Sequence, residues 1–367
     1  MSPTNLRDLT PAHLIHPGEM LNDELKDRKI SQAEFAKTIG MERSQLNEYI
    51  KGKRDFTAEL CLLVAAALKM DEAIWLNLKQ NYEVDKVKID AKSAAKLALV
   101  EEYSYVNALP KKFLKDCGYL TEDKKVSVDK LRDFYGVANL AQMDQMLQEP
   151  RYAYHRKSEK MNVQIANLVT WEQLIKHKAA AIEVETFDPA SAEVLVAALK
   201  PIFRENNHAL DKCKTLLAEY GIKLVHQPKP EKCAVYGFSF WSHGNPAIGL
   251  SLRYNRIDNL AFTLMHELGH VYLHLPNNLE AAYTDAADEN GSYGDSKEET
   301  EANAFAQNHL MPAARWDDFR MRCFNPKDAD FEFLAEQCGI HPATPFGRYC
   351  FETNQFQKRT KIDKVLR

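Results

Sequence analysis

Residues 266–270 read His-Glu-Leu-Gly-His, two imidazoles four positions apart with a carboxylate beside the first. On an α-helix, side chains at i and i+4 stand one turn apart on the same face, so both rings can converge on one ion. Zinc takes nitrogen ligands at about 2.0–2.1 Å, and its catalytic sites keep three protein ligands and one open position. A carboxylate at Glu267 then has the place of a general base. It would take a proton from an attacking water and return it to the leaving amine of a cleaved peptide.

A helix is what the pattern around these residues predicts. Ala261, Leu264, Met265, Leu268, Tyr272 and Leu275 form one apolar stripe, whereas Thr263, His266, Glu267, His270 and His274 fall opposite. The expectation is an amphipathic helix that buries the first face and presents the second.

Two nitrogens do not hold zinc tightly, so a third donor is required. His274 would lie about 12 Å along a straight helix from His266, too far to share its ion; it is expected behind the ligands. Glu298-Glu299-Thr-Glu301-Ala-Asn303-Ala-Phe-Ala306 offers a better source. Glu299, Ala302, Asn303, Ala306 and Leu310 share one helical face, and the alanines permit close approach. Glu299 is therefore the expected third ligand, and Glu301 points elsewhere. Asn303, one turn on, is placed to hold the free ring nitrogen of a liganding histidine. Tyr283, Tyr293, His274 and His309 are all candidates to stabilise an oxyanion. The strand expected at Ala247–Leu252 could receive an extended substrate along its edge.

The run His266-Glu-Leu-Gly-His270-Val-Tyr-Leu-His274, with Glu299-Thr-Glu-Ala-Asn303-Ala-Phe-Ala306 and Leu310-Met-Pro312 after it, resembles the ImmA/IrrE family of zinc metallopeptidases. Asn245-Pro-Ala-Ile-Gly-Leu-Ser-Leu-Arg253 resembles the strand before the zinc helix in that family. The resemblance spans roughly residues 190–312, with His309 a departure in a usually aliphatic stretch. It implies an α+β, zincin-like fold, Zn2+ as cofactor and an endopeptidase whose protein substrate is a transcriptional repressor.

The N-terminal part reads differently. Residues 12–82 suggest five short helices, with Ser31, Thr57 and Asp71 as N-caps, Gly40 closing the second helix and Gly52 the third. Phe35, Ala36, Ile39, Gly40, Leu46 and Tyr49 fit a helix-turn-helix, in which Ala36 lets the two helices cross closely. Arg43, Ser44, Gln45 and Asn47 then project from the second helix, with Gln32 opening the first; Arg, Gln and Asn are types that read major-groove base edges. Lys51, Lys53 and Arg54 follow where phosphate contacts are useful. The stretch from His16-Pro-Gly-Glu19 to Tyr82 resembles the HigA-like antitoxins of the XRE group, which implies a homodimer on a double-stranded operator.

Composition bounds these readings. The chain has 367 residues, 45% hydrophobic and 27% charged, with a formal net charge of −4; that excludes a collagen-like or wholly disordered chain and confines any DNA contact to a local patch. Seven scattered cysteines with no Cys-x-x-Cys pair argue against a disulfide framework or thiolate zinc site. The longest apolar run, Leu60–Leu68, is short of the roughly 20 residues that span a bilayer, and a cytoplasmic, non-membrane protein is expected. The expected organisation is multidomain: an all-α helix-turn-helix domain over 1–84, a helical connector or middle domain over 85–185, and an α+β metallopeptidase domain over 186–367 with a C-terminal helical tail. Residues 276–296 read as a polar loop.

Together these features describe a DNA-binding transcriptional regulator with zinc-dependent endopeptidase activity. Two other readings stand beside it. In one, the chain is a repressor or antitoxin whose peptidase fold is silent or holds zinc structurally. In the other, the helix-turn-helix module caps a toxin encoded alongside.

Overall fold

The structure is a computed structural model and describes residues 14–148, 159–252, 254–286 and 296–367. The chain divides into two compact units, Met1–Ser104 and Tyr105–Arg367.

Helices α1 (Pro17–Asp27), α2 (Gln32–Thr38), α3 (Arg43–Ile50), α4 (Ala58–Leu68), α5 (Glu72–Ile89) and α6 (Ala91–Ser104) make up the described part of the first unit. Their starts are where side-chain acceptors stand: Ser31 accepts from the Glu34 amide, Thr57 from Leu60 and Asp71 from Ala73. Gly40 takes φ +71° in the turn between α2 and α3, a conformation that favours glycine. Leu21, Leu25, Phe35, Ala36, Leu46, Ile50 and Trp75 close around one core. The boundary expected at 84/85 falls inside α5, because Glu72–Ile89 contains neither Gly nor Pro to end the helix.

In the second unit, α7 (Lys111–Asp116), α8 (Lys124–Tyr135), α9 (Met143–Leu147), α10 (Glu159–Ala180), α11 (Ala192–Glu205) and α12 (Ala209–Glu219) precede a small sheet. Its strands are β1 (Lys223–His226), β2 (Val235–Ser242), β3 (Asn245–Leu250) and β4 (Ala282–Ala286), in the order β1-β3-β2-β4. β1 runs parallel to β3, and the other pairs are antiparallel. Helix α13 (Ile257–Leu273) lies between β3 and β4 in sequence, and α14 (Lys297–Leu310), α15 (Ala313–Arg322), α16 (Asp328–Cys338) and α17 (Ala343–Glu352) complete the unit.

Helix α10, expected to belong to a connector, packs on the sheet. A Cβ on Gly249 of β3 would meet Ile175 Cγ2 at 2.7 Å, and Trp171 Nε1 donates to Gln227 O at 2.8 Å. The sheet therefore has helices on both faces, with α10 on one and α13 on the other.

Three expectations are corrected. First, β4 lies inside the stretch read as a polar loop; its three central residues alternate between sheet faces, a signal diluted by the surrounding Asn, Asp and Gly. Second, β3 is an interior strand with β1 and β2 on its two edges, so it has no free edge for a substrate. β4 occupies the edge of the described sheet instead. Third, α13 is not half exposed: every residue from Ile257 to Val271 except Asn259 and Phe262 is buried, Glu267 completely. Its apolar stripe enters the main core, and its polar face is covered by β2, β4 and α14.

The α13–α14 contact is made possible by a residue without a side chain. A Cβ on Gly269 would lie 2.8 Å from Ala302 Cα and 3.2 Å from its Cβ. Gly269→Val should therefore force the helices apart and destabilise the fold by about 1–3 kcal/mol, read as a lower thermal midpoint of the metal-free protein. An unchanged midpoint would show that this contact is not tight.

Candidate functional site

α13 and α14 bring three donor atoms to one point. His266 Nε2 lies 3.2 Å from His270 Nε2 and 3.2 Å from Glu299 Oε2, while His270 Nε2 lies 3.4 Å from Glu299 Oε1. A tetrahedral ion with ligands at about 2.0–2.1 Å separates its donors by about 3.3 Å. The triangle has the size such an ion requires, and His266, His270 and Glu299 are grouped as a possible metal cluster.

The donors are held from behind. His266 Nδ1 donates to Asn303 Oδ1 at 3.0 Å, which turns Nε2 inward. His270 Nδ1 lies 3.0 Å from His274 Nδ1, and His274 Nε2 lies 3.1 Å from Glu301 Oε2. The Tyr283 ring stacks on His270 at 4.6 Å and 12°. Glu301 stands outside the triangle, as expected, but it is bonded to His274.

Glu267 occupies the wall between the triangle and β2. Ser239 Oγ donates to Glu267 Oε2 at 2.5 Å, and Glu267 Oε1 is buried without a partner. Gly237 leaves room for that oxygen, since a Cβ there would sit 1.9 Å from it. Across the sheet, Gly237 pairs with Asp285 and Ser239 with Tyr283, so one face of two strands supplies four residues that adjoin the site. Asp285 Oδ1 is also buried and unpaired, and Asp285 forms a second close group with His266 and Glu267.

Electrostatics set these groups against one another. Burial pushes Glu267 up to about 8, with His266 drawing it down and Asp285 pushing it further up. Burial likewise raises Asp285 to about 6. Burial opposes charge on His266, yet the Glu299 hydrogen bond and the Asp285 and Glu267 charges carry it up to about 9. His270, beside the cationic His266, is lowered chiefly by burial. Burial alone would raise Glu299, but its hydrogen bonds to both histidines hold it down at about 2. Acidic groups therefore concentrate around a point that needs positive charge, and a divalent ion there would draw Glu267 back towards the carboxylate form.

Of the proposed oxyanion donors, His309 turns away: Nδ1 donates to Phe305 O at 2.8 Å and Nε2 lies 3.2 Å from Glu193. His274 is occupied by His270 and Glu301. Tyr293 and Arg253 lie outside the described residues. Tyr283 stands at the site, and burial raises its phenol so that it keeps its proton.

Sequence reasoning missed Gly237, Ser239 and Asp285. The last had a signal in Tyr283-Thr-Asp285, where residues two apart point the same way in a strand. Gly237 and Ser239 had none, because only the pairing of β2 with β4 beside α13 gives them a role.

In the first unit, Arg43, Ser44, Gln45, Lys51 and Lys53 are exposed and Asn47 half-buried on and after α3. Gln32 is half-buried and donates to Asn22 Oδ1 at 3.2 Å, which ties it to α1. Arg54 is paired with Glu48 at 2.6 Å, so part of its charge is already satisfied. A Cβ on Gly18 would lie 2.1 Å from Tyr49 O, and this contact seats the start of α1 against the end of α3.

Fold and site define a helix-turn-helix protein with an α+β domain of the metallopeptidase type. Residues 205–335 match the IrrE N-terminal-like domain of peptidases, and residues 21–75 match a helix-turn-helix family. The chain thus carries a segment similar to the IrrE N-terminal-like domain and, ahead of it, a segment similar to XRE-type helix-turn-helix domains. Virulence-associated protein I of Dichelobacter nodosus is 32% identical over 80 residues, which are 22% of this chain and 74% of that protein. A solved structure described as an antidote protein of a plasmid maintenance system from Nostoc punctiforme is 30% identical, covering 23% of this chain and 94% of that one, with a TM-score of 0.22. Among the described residues, no helix is long and apolar enough to cross a membrane.

Because His266 stays protonated up to about 9 in the metal-free site, binding a cation near pH 7.5 must expel its proton. Calorimetry of zinc binding in buffers of different ionisation enthalpy should show at least about one more proton released at pH 7.5 than at pH 10, from His266 and in part from Glu267. Equal release at both values would contradict the His266–Glu299 ion pair.

Proposed function

We propose that the protein is a DNA-binding transcriptional regulator that cuts a regulatory protein, a repressor above all, with a zinc-dependent endopeptidase site. The observation that carries this reading is the three-donor triangle with Glu267 Oε1, unpaired and buried, beside it. His266, His270 and Glu299 would hold Zn2+, which supplies a Lewis acid for the peptide carbonyl and makes a water acidic near neutral pH.

The chain's own groups do the rest. Ser239 and Gly237 fix the Glu267 carboxyl so that Oε1 receives a proton and later delivers it to the leaving amine. Tyr283, stacked on His270, keeps a phenolic proton to donate to the carbonyl oxygen as negative charge develops there. The edge strand β4 carries Tyr283 and offers backbone groups to an extended peptide, which is what strand addition requires.

The helix-turn-helix unit supports the choice of substrate. A reading surface formed by Arg43, Ser44, Gln45 and Asn47, with Lys51 and Lys53 on phosphates, would hold a homodimer on a two-fold operator, close to other proteins bound there. A cytoplasmic setting suits a regulator of this kind and its seven free thiols.

Glu267→Gln should retain zinc and lose about 10²–10⁴-fold in the rate of substrate cleavage, measured with purified repressors encoded near the gene. A variant that cuts as fast as wild type would remove the mechanism, and zinc retained by a wild-type protein that cuts nothing would favour the silent-repressor reading. On DNA, Lys51→Ala and Lys53→Ala should each lower the slope of log affinity against log salt by about 0.9, whereas Gln45→Ala should reduce base preference by about 1–3 kcal/mol. Binding with no preference over bulk DNA at moderate salt would exclude an operator-reading surface.

A further inference from the structure

We propose that Glu301 and His274 are positioning residues that set which nitrogen of His270 carries its proton, and so make His270 Nε2 a metal ligand. The inference rests on the zinc reading above and deepens it, because it assigns roles to a histidine and an acid that hold no metal.

The argument follows the protons. A carboxylate only accepts hydrogen bonds, so Glu301 Oε2, 3.1 Å from His274 Nε2, places the His274 proton on that nitrogen. The neutral His274 ring then has a bare Nδ1, which needs a donor. Its neighbour at 3.0 Å is His270 Nδ1, so the His270 proton belongs there and His270 Nε2 is left bare. That nitrogen is the one 3.4 Å from Glu299 Oε1 and 3.2 Å from His266 Nε2.

The opposite order, with the His274 proton on Nδ1, would set a bare Nε2 against a carboxylate oxygen and turn the His270 proton towards the triangle. The first contact would be repulsive; the second would satisfy Glu299 but close His270 Nε2 to an ion. A proton on His274 Nδ1 in any form would oblige His270 Nδ1 to accept rather than donate and would again turn the His270 proton towards the triangle. Other groups near this end include the Tyr283 ring, 5.3 Å from His274, Lys297 Nζ, 3.5 Å from Glu301 Oε1, and the Glu298 carboxyl; the hydrogen bond at His274 Nε2 is the one to Glu301.

Helix α14 therefore handles both imidazoles by the same device. Asn303 holds the Nδ1 proton of His266 directly, and Glu301 holds that of His270 through His274, while Glu299 between them completes the donor triangle. Histidine ligands gain orientation and basicity from such partners, whose loss costs about 10–100-fold in metal affinity.

The test is zinc affinity of the full chain by competition with a chromophoric chelator, with the thermal midpoint of the metal-free protein measured in parallel. His274→Leu should weaken zinc by about 10–100-fold and Glu301→Ala by about 10-fold. His274→Gln offers an acceptor to His270 and a donor to Glu301, and Glu301→Gln still accepts from His274, so both should stay within about threefold of wild type. Glu301 is part-exposed, so Glu301→Ala keeps the test open if His274→Leu folds poorly. Wild-type zinc affinity in both disruptive variants would overturn the proposal, and so would a His274→Gln protein as weak as His274→Leu, since packing alone would then explain His274. A wild-type chain that binds zinc no better than His266→Ala would instead bring down the zinc reading, and this proposal with it.

Discussion

The approach of α13 to α14 at Gly269 and Ala302 is the contact on which the site depends. Two histidines on one helix define a line of donors, and only a second helix lying against the first can turn that line into a triangle. Any side chain at 269 would hold the helices apart, and the Glu299 carboxyl would then fall short of the point between the imidazoles. The same small-residue contact lets Asn303 and Glu301 reach His266 and His274. One packing distance thus controls the third donor and both supports.

Burial makes that geometry matter electrically. Glu267 and Asp285 are shut away from water with an unpaired oxygen each, and a buried polar atom without a partner is costly unless something compensates. In the metal-free site the compensation comes partly from His266, whose proton is kept by surrounding carboxylates, and partly from protonation of Glu267. A cation at the triangle would replace both. The site is therefore most strained when empty of positive charge, which couples metal binding to the stability of the peptidase unit.

The sheet contributes shape more than donors. β2 passes beneath Glu267 with Gly237 and Ser239, and β4 brings Tyr283 and Asp285 to the same face. On its other side, Thr284 of β4 donates to the buried Glu172 of α10 at 2.8 Å. The edge strand is thus anchored by a helix on one face while its Tyr283 and Asp285 adjoin the site on the other.

Local sequence determined the capped helix starts after Ser31, Thr57 and Asp71, the helical character of the stretches around His266 and Glu299, and the spacing that puts His266, His270 and Glu299 on facing surfaces, because caps and 3.6-residue periodicity act between near neighbours. Sequence alone also placed Asn303 within reach of a histidine. Pairing, layering and burial belonged to the tertiary structure. It decided that β4 is a strand and β3 an interior one, that the polar face of α13 is covered, and that α10 shares the sheet. It also gave Gly237, Ser239, Asp285 and Glu301 their contacts, since each depends on residues distant in the chain that leave no periodic mark on their own neighbours.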